Sequence, residues 1–329
     1  MFSIGLIVVV VLLALCFDYV NGFHDTANAI ATSVSTKALS PRAAILVAAS
    51  LNFLGALSGT AVATTIGKSI VAPEMVTGLV LITALIGAIF WNLFTWYFGI
   101  PSSSSHALIG GLVGAVIAGF GFPYVQWHGF FSIFSGLIIA PVVGLLAGSM
   151  VMTILFWIFK AASPALTNKK FRTLQILSAC MASFAHGSND AQKSMGIITM
   201  ALVSGGLLGT FQVPLWVKIA CAGAMAAGTA VGGWKIIRTM GGKIFRIEPI
   251  NGFAADFTSA VVIYTASLLG APVSTTHVVS SSIMGVGAAK RLRGVRWNIA
   301  RQIIIAWFVT IPSAALVTML VYKLLTLFI

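Results

Sequence analysis

Apolar residues run along this chain in blocks of membrane-spanning length, and polar residues interrupt the blocks at a few places. Residues 2–19, 43–64, 76–98, 102–120 and 129–159 form one series of blocks. A second series follows at 173–185, 191–203, 213–234, 253–269, 273–289 and 302–327. A helix needs about 20 apolar residues to cross a bilayer core. A transmembrane β-barrel would show short alternating segments instead. The pattern therefore predicts an all-α polytopic membrane protein with about 10 crossings. Pro101 follows Gly99-Ile100 and Pro272 follows Gly270-Ala271. Proline lacks a backbone N–H and disfavours helix in the residue before it, so a helix ends and a new one starts at each point. The Asn21-Gly22 pair predicts a further break, with a separate half-helix over 24–38. The polar run 186–190 is read as its equivalent in the second series.

The second series repeats the first. His24-Asp25 is echoed by Asn189-Asp190, 165 residues later. Gly59-Thr60-Ala61-Val62 recurs as Gly228-Thr229-Ala230-Val231, offset by 169. Pro101-Ser102-Ser103-Ser104-Ser105-His106 recurs as Pro272-Val273-Ser274-Thr275-Thr276-His277, offset by 171. Three echoes in one order predict an internal duplication: a first repeat over 1–159, a short basic cytoplasmic linker over 160–172 and a second repeat over 173–329. Loop charge predicts the relative orientation. The basic turn 37–42 matches an uncharged loop at 205–212, while the lightly charged loop 65–75 and the uncharged loop 121–128 match strongly basic loops at 235–248 and 290–301. Basic loops stay on the cytoplasmic side, so matched loops lie on opposite faces and the repeats are inverted in topology. Both termini then lie outside. Inverted repeats with broken or re-entrant helices are a signature of secondary transporters.

Composition narrows the class. The chain has 329 residues, 59% hydrophobic and 8% charged, with mean hydropathy +1.04, against about 25% charged in soluble domains. The formal charge of +13 sits in loops, where it sets topology and meets anionic lipid head groups rather than nucleic acid. Cys16, Cys180 and Cys221 are scattered in apolar runs and read as packing residues. The start of the chain lacks a basic n-region and a small-residue cleavage site, so it reads as a first span.

Against this background the intramembrane polar residues stand out. An acid in a span is expensive and by default functional. Asp25 and Asp190 hold repeat-related positions and are the first candidates for cation or proton binding, including a bound sodium ion. Asn21 joins them, and so does Asp256, which lies in a span without an acidic counterpart in the first repeat. Asp18, Glu74 and Glu248 read as interfacial. Asn28, Asn189 and Gln192 offer amides to an oxyanion. Lys193 follows Asp190 by three residues and either pairs with it or contacts an anion. Ser102, Ser103, Ser104 and Ser105, and Ser274, Thr275 and Thr276, each precede an apolar helix. Their hydroxyls, with the free N–H groups and positive dipole of a helix N-terminus, form two anion seats that need no arginine. His106 and His277 close these motifs and read as structural.

These motifs resemble the inorganic phosphate transporter (PiT) family over nearly the whole chain. The matching residues are Asn21-Gly22-Phe23-His24-Asp25-Thr26-Ala27-Asn28, Gly187-Ser188-Asn189-Asp190, Arg238-Thr239-Met240-Gly241 and the two Ser/Thr breaks. The resemblance implies import of inorganic phosphate coupled to H+ or Na+ by alternating access, no enzymatic activity, no organic cofactor, a multi-pass location in the cell membrane and a homodimer. The first signature reads Gly-Phe-His-Asp here, where the family commonly has Gly-Ala-Asn-Asp. Asn52 stands where sodium-coupled eukaryotic members carry a glutamate, which leaves protons or neutral metal–phosphate complexes open. The alternatives are a permease for sulfate or another oxyanion, an uncoupled anion channel, and an intramembrane hydrolase built on a Ser and His106 or His277.

Overall fold

The computed structural model describes residues 3–328. It is helical throughout, and no strand occurs among the described residues; Val71 and Val125 make one isolated bridge. The first six helices are α1 (Ile4–Ser35), α2 (Pro41–Leu57), α3 (Ala61–Ser69), α4 (Gly78–Phe98), α5 (Ser104–Gly119) and α6 (Trp127–Phe159). The next six are α7 (Pro164–Ser204), α8 (Leu215–Val231), α9 (Trp234–Arg238), α10 (Pro249–Leu268), α11 (Thr275–Lys290) and α12 (Trp297–Thr326). A π-helical turn, Thr239–Lys243, continues α9.

Among the described residues four helices are long and apolar enough to cross a membrane: α1, α4, α6 and α12. The bent pairs α2–α3 and α8–α9 bring the total to six if each is one span, with bends of 67° and 62°. The sequence pattern extends the corresponding blocks through these bends, at 43–64 and 213–234. The chain instead turns at Ser58-Gly59-Thr60 and at Gly232-Gly233, where Gly232 takes a left-handed φ of +76°. In contrast α7, α10 and α11 bury many Ser and Thr side chains, together with Asp190, Lys193 and Asp256.

The proline breaks occur as the sequence predicts. α4 stops at Gly99 (φ +66°) and α5 starts after Ser103; α10 stops just before Gly270 (φ +70°) and α11 starts after Ser274. The Asn-Gly break does not occur. α1 is one continuous helix of 32 residues through Asn21 and Gly22, and α7 is one of 41 residues through 186–190. The half-helix at 24–38 and the division of 173–203 are thus corrected. Most of the segment read as a linker also belongs to α7, leaving only 160–163 as a turn.

The glycines have another use. A Cβ on Gly22 would sit 2.3 Å from the Met225 carbonyl oxygen of α8, and one on Gly187 would sit 2.1 Å from that of Asn52 in α2. Small residues let membrane helices approach backbone to backbone. Here they press α1 against α8 and α2 against α7. The same exchange recurs elsewhere, with α5 packed on α12 and α11 on α6. α1 and α7 also cross in opposite directions. Ile7 meets Gly205 near one end, Asp18 meets Ser194 further in, and Asp25 lies beside Asp190.

Gly22→Ala is expected to destabilise the fold by about 1–3 kcal/mol through overpacking. Gly223→Ala, where a Cβ meets nothing within 4 Å, should cost none of this. Thermal unfolding of the two purified variants in one detergent checks the difference.

Candidate functional site

Four elements meet at the centre: the middles of α1 and α7, and the N-termini of α5 and α11. α1 supplies Asp25 and Asn28, three residues apart and so on one face. α7 supplies His186, Asp190 and Lys193, likewise one turn apart. The ligating atoms of Asp25, His186 and Asp190 all lie within 4.8 Å of one another, and all three residues are buried. The two acids, 165 positions apart in sequence, therefore share one chamber.

Each carboxylate is held by the first turn of a broken helix. Ser104 donates to Asp25 Oδ2 at 3.1 Å, and Thr275, its repeat-related counterpart, donates to Asp190 Oδ2 at 3.0 Å. Thr276 donates to Asp25 Oδ1 at 3.3 Å. Asn28 reaches across and donates to the hydroxyls of Thr276 (3.0 Å) and Thr275 (3.3 Å). The predicted helix breaks would have freed backbone carbonyls as ligands, but α1 and α7 keep their carbonyls inside continuous helices. Hydroxyls from α5 and α11 take that place.

The two acids differ in their charged partners. His24 Nδ1 lies 2.6 Å from Asp25 Oδ1, and since a carboxylate only accepts, Nδ1 carries the proton. Lys193 Nζ lies 2.5 Å from Asp190 Oδ1, with both side chains 0% exposed. The sequence left Lys193 between a paired and an anion-binding role, and the geometry gives the pair. His186 was not singled out from sequence, although its i, i+4 spacing to Asp190 signals a shared face. Its Nε2 lies 3.2 Å from Asp190 Oδ2, off the line of a hydrogen bond. The Thr229 hydroxyl donates to the Met225 carbonyl and so accepts from Asn52 Nδ2 at 2.9 Å. That leaves Asn52 Oδ1 facing His186 Nδ1 at 3.1 Å, so Nδ1 donates and Nε2 is turned toward the acids.

Other residues singled out from sequence lie around this centre. Ser103 and Ser274 are N-caps, accepting from the His106 and His277 backbone N–H groups at 3.2 and 3.3 Å. Ser102 donates to Thr95, which lies 3.1 Å from His24 Nε2. Ser105 donates to the Val273 carbonyl at 3.0 Å and ties the two breaks together. Asn189 donates to Ser267 at 3.1 Å. Gln192 caps α3, accepting from Val62 N at 2.8 Å and Ala63 N at 3.3 Å. Asn21 sits one turn from Asp25, buried and without a partner. Asp256 of α10 meets α1 two turns beyond Asp25, where Thr32 donates to its two oxygens at 2.6 and 2.7 Å. Asp18, read as interfacial, is fully buried, and that reading is corrected. His106 and His277 touch, ring centroids 4.4 Å apart, beside an apolar cavity of about 440 Å³ between α5, α6, α11 and α12. The Ser–His hydrolase finds no support here: His106 Nδ1 faces the capping Ser103 at 2.8 Å, and His277 stacks on Trp307.

Two buried acids, two helix N-termini and a set of short hydroxyls thus meet at one place, the first suited to a cation and the others to an anion. Comparison with known proteins gives the family. The model of the Phosphate transporter family matches residues 21–318. The chain belongs to this family. It is 51% identical over 325 residues to a probable low-affinity inorganic phosphate transporter of Bacillus subtilis (strain 168), covering 98% of each chain. It is 48% identical to a protein of the same description from Rhizobium meliloti (strain 1021), covering 96% of each. Among solved structures it resembles one titled "The sodium-dependent phosphate transporter", with a TM-score of 0.88 and 26% identity, covering 99% of this chain and 100% of that one. As a phosphate transporter, and so a membrane protein rather than an enzyme, the chain needs no nucleophile or general base at its centre.

Lys193→Met leaves Asp190 buried without its cation and should destabilise the protein by about 3–5 kcal/mol. Lys193→Met with Asp190→Asn removes both charges and should recover most of the loss. Melting temperatures of the wild type, the single variant and the double variant in detergent check this.

Proposed function

We propose that the chain is a secondary active transporter in the cell membrane that imports inorganic phosphate with a cation by alternating access. One observation carries the reading: the hydroxyls placed to meet an anion are bonded to the two buried carboxylates. Ser104 and Thr275, at repeat-related helix N-termini, donate to Asp25 and Asp190. To donate to a phosphate oxygen they must leave those carboxylates. A carboxylate stripped of donors inside the membrane then requires a cation. A cation between Asp25 and Asp190 in turn frees the hydroxyls and cancels charge, which favours the anion. Each ligand raises the affinity for the other by the same factor.

Charge counting supports obligatory coupling. Asp190 is paired with the Lys193 ammonium, whereas Asp25 has an imidazole, that of His24, beside it. Phosphate adds one or two negative charges, so at least one cation or proton must travel with it. The antiparallel crossing of α1 and α7 and the exchanged helix pairs fit two inverted repeats, in which one body rocks against the other to open the site to either side.

Sodium is the leading cation, given the oxygen-rich surroundings and the sodium dependence of the solved relative. His186 favours a second reading. A neutral imidazole suits a divalent transition metal better than sodium, so a metal–phosphate complex is an alternative cargo at Asp25, His186 and Asp190.

The test is radiolabelled phosphate uptake by proteoliposomes, with sodium and proton gradients imposed separately and manganese added in a third arm. Uphill accumulation under one of these drives is expected, and strictly downhill flux would show an uncoupled channel. Asp25→Asn should abolish accumulation while leaving membrane insertion intact. Ser104→Ala and Thr275→Val should each raise the half-saturating phosphate concentration about tenfold, the worth of one hydrogen bond to a charged ligand. Excess sulfate should leave phosphate uptake unchanged if the anion is phosphate.

A further inference from the structure

A polar stripe runs along α1 through Asp18, Asn21, Asp25, Asn28 and Thr32, all buried. The alternating spacing of three and four residues keeps them on one face. The stripe meets the rest of the protein at three acidic levels, each seven residues, or about 10 Å, from the next. At the middle level Asp25 lies beside Asp190. Toward the C-terminal end of α1, Thr32 binds Asp256. Toward the N-terminal end, Ser194 of α7 donates to Asp18 Oδ1 at 2.7 Å.

This last level has no place in the central site, and its polar groups are incompletely satisfied. Asp18 makes no salt bridge among the described residues. Its Oδ2, and both Oδ1 and Nδ2 of Asn21, lack partners. The charged groups that bear on it are Lys193 and Asp190, which are paired with each other. The remaining polar neighbour is the thiol of Cys221 on α8. A buried carboxylate with neutral neighbours and a free oxygen is costly unless a cation joins it. The donors on offer are a carboxylate oxygen, an amide oxygen and a hydroxyl, a hard oxygen set suited to a small hard cation.

We propose that Asp18, Asn21 and Ser194 form a second cation site, separate from Asp25 and Asp190 and about two helical turns nearer the N-terminal end of α1, that binds sodium. Its occupancy stands on these residues alone. Its role, loading sodium onto the path to the central carboxylates, rests on the coupled-transport reading. A loading site sets how much sodium is needed and leaves the rate at saturating sodium largely to the centre.

Equilibrium binding of radioactive sodium to the full-length protein in detergent, at fixed pH and without phosphate, tests it. Asp18→Asn is expected to bind one sodium fewer per chain than wild type. In sodium-driven proteoliposomes it should need about tenfold more sodium for half-maximal phosphate uptake. Ser194→Ala keeps the charge and removes one ligand, so it should weaken the same site several-fold; it carries the test if Asp18→Asn fails to fold. An unchanged sodium count in a folded Asp18→Asn, or in Ser194→Ala an unchanged sodium affinity, overturns the proposal. So does a wild-type melting temperature that responds to pH and not to sodium, with the pH response lost in Asp18→Asn, because Asp18 is then a protonated buried acid. Absence of gradient-driven phosphate uptake by wild type would instead overturn coupled transport, and the sodium count would still decide the site.

Discussion

Two carboxylates buried in one chamber impose a debt of positive charge, and much of the surrounding architecture answers it. Lys193 answers part of it for Asp190 from within the chain. Hydroxyls from the first turns of α5 and α11 answer another part, since charged acceptors strengthen the hydrogen bonds they receive. Those helices must start near the centre for the hydroxyls to arrive there, which is what the proline breaks at 101 and 272 achieve. In the coupled transport proposed above, the remainder of the charge is left for a mobile ion, and a transporter of an anion has use for that remainder.

Close helix packing makes the chamber possible. Backbone-to-backbone approach at Gly22 and Gly187 brings α8 onto α1 and α2 onto α7. Asn52 and Thr229, carried on those partner helices, then fix the ring of His186. The packing glycines and the polar residues of each signature motif are thus two halves of one device. The glycine sets the separation of the helices, and the neighbouring acid faces into the space so defined.

The helical class, the duplication and the pairing of Asp25 with Asp190 were legible because each leaves a periodic or charge-based trace in one dimension. The proline breaks were legible for the same reason, since the ring acts on its own residue and the one before it. The Asn-Gly pair misled because glycine has two uses, chain reversal and close approach, and only the partner helix distinguishes them. Asp18 misled because it lies near the end of an apolar block, whereas α1 continues well beyond that block and carries the residue inside. Gln192 as the cap of α3 and Asn52 as the anchor of His186 depend on contacts across more than a hundred residues, which no local pattern encodes.

The contact between His106 and His277 bears on how such a molecule moves. The two rings lie against each other where α5 and α11 meet, and Ser105 of one helix is bonded to the backbone just ahead of the other. Shifting one of these helices alone would break both contacts. The pair is therefore mechanically a single jaw, and in the proposed alternating access the displacement that opens the chamber falls between this jaw and the long helices that cross beside it.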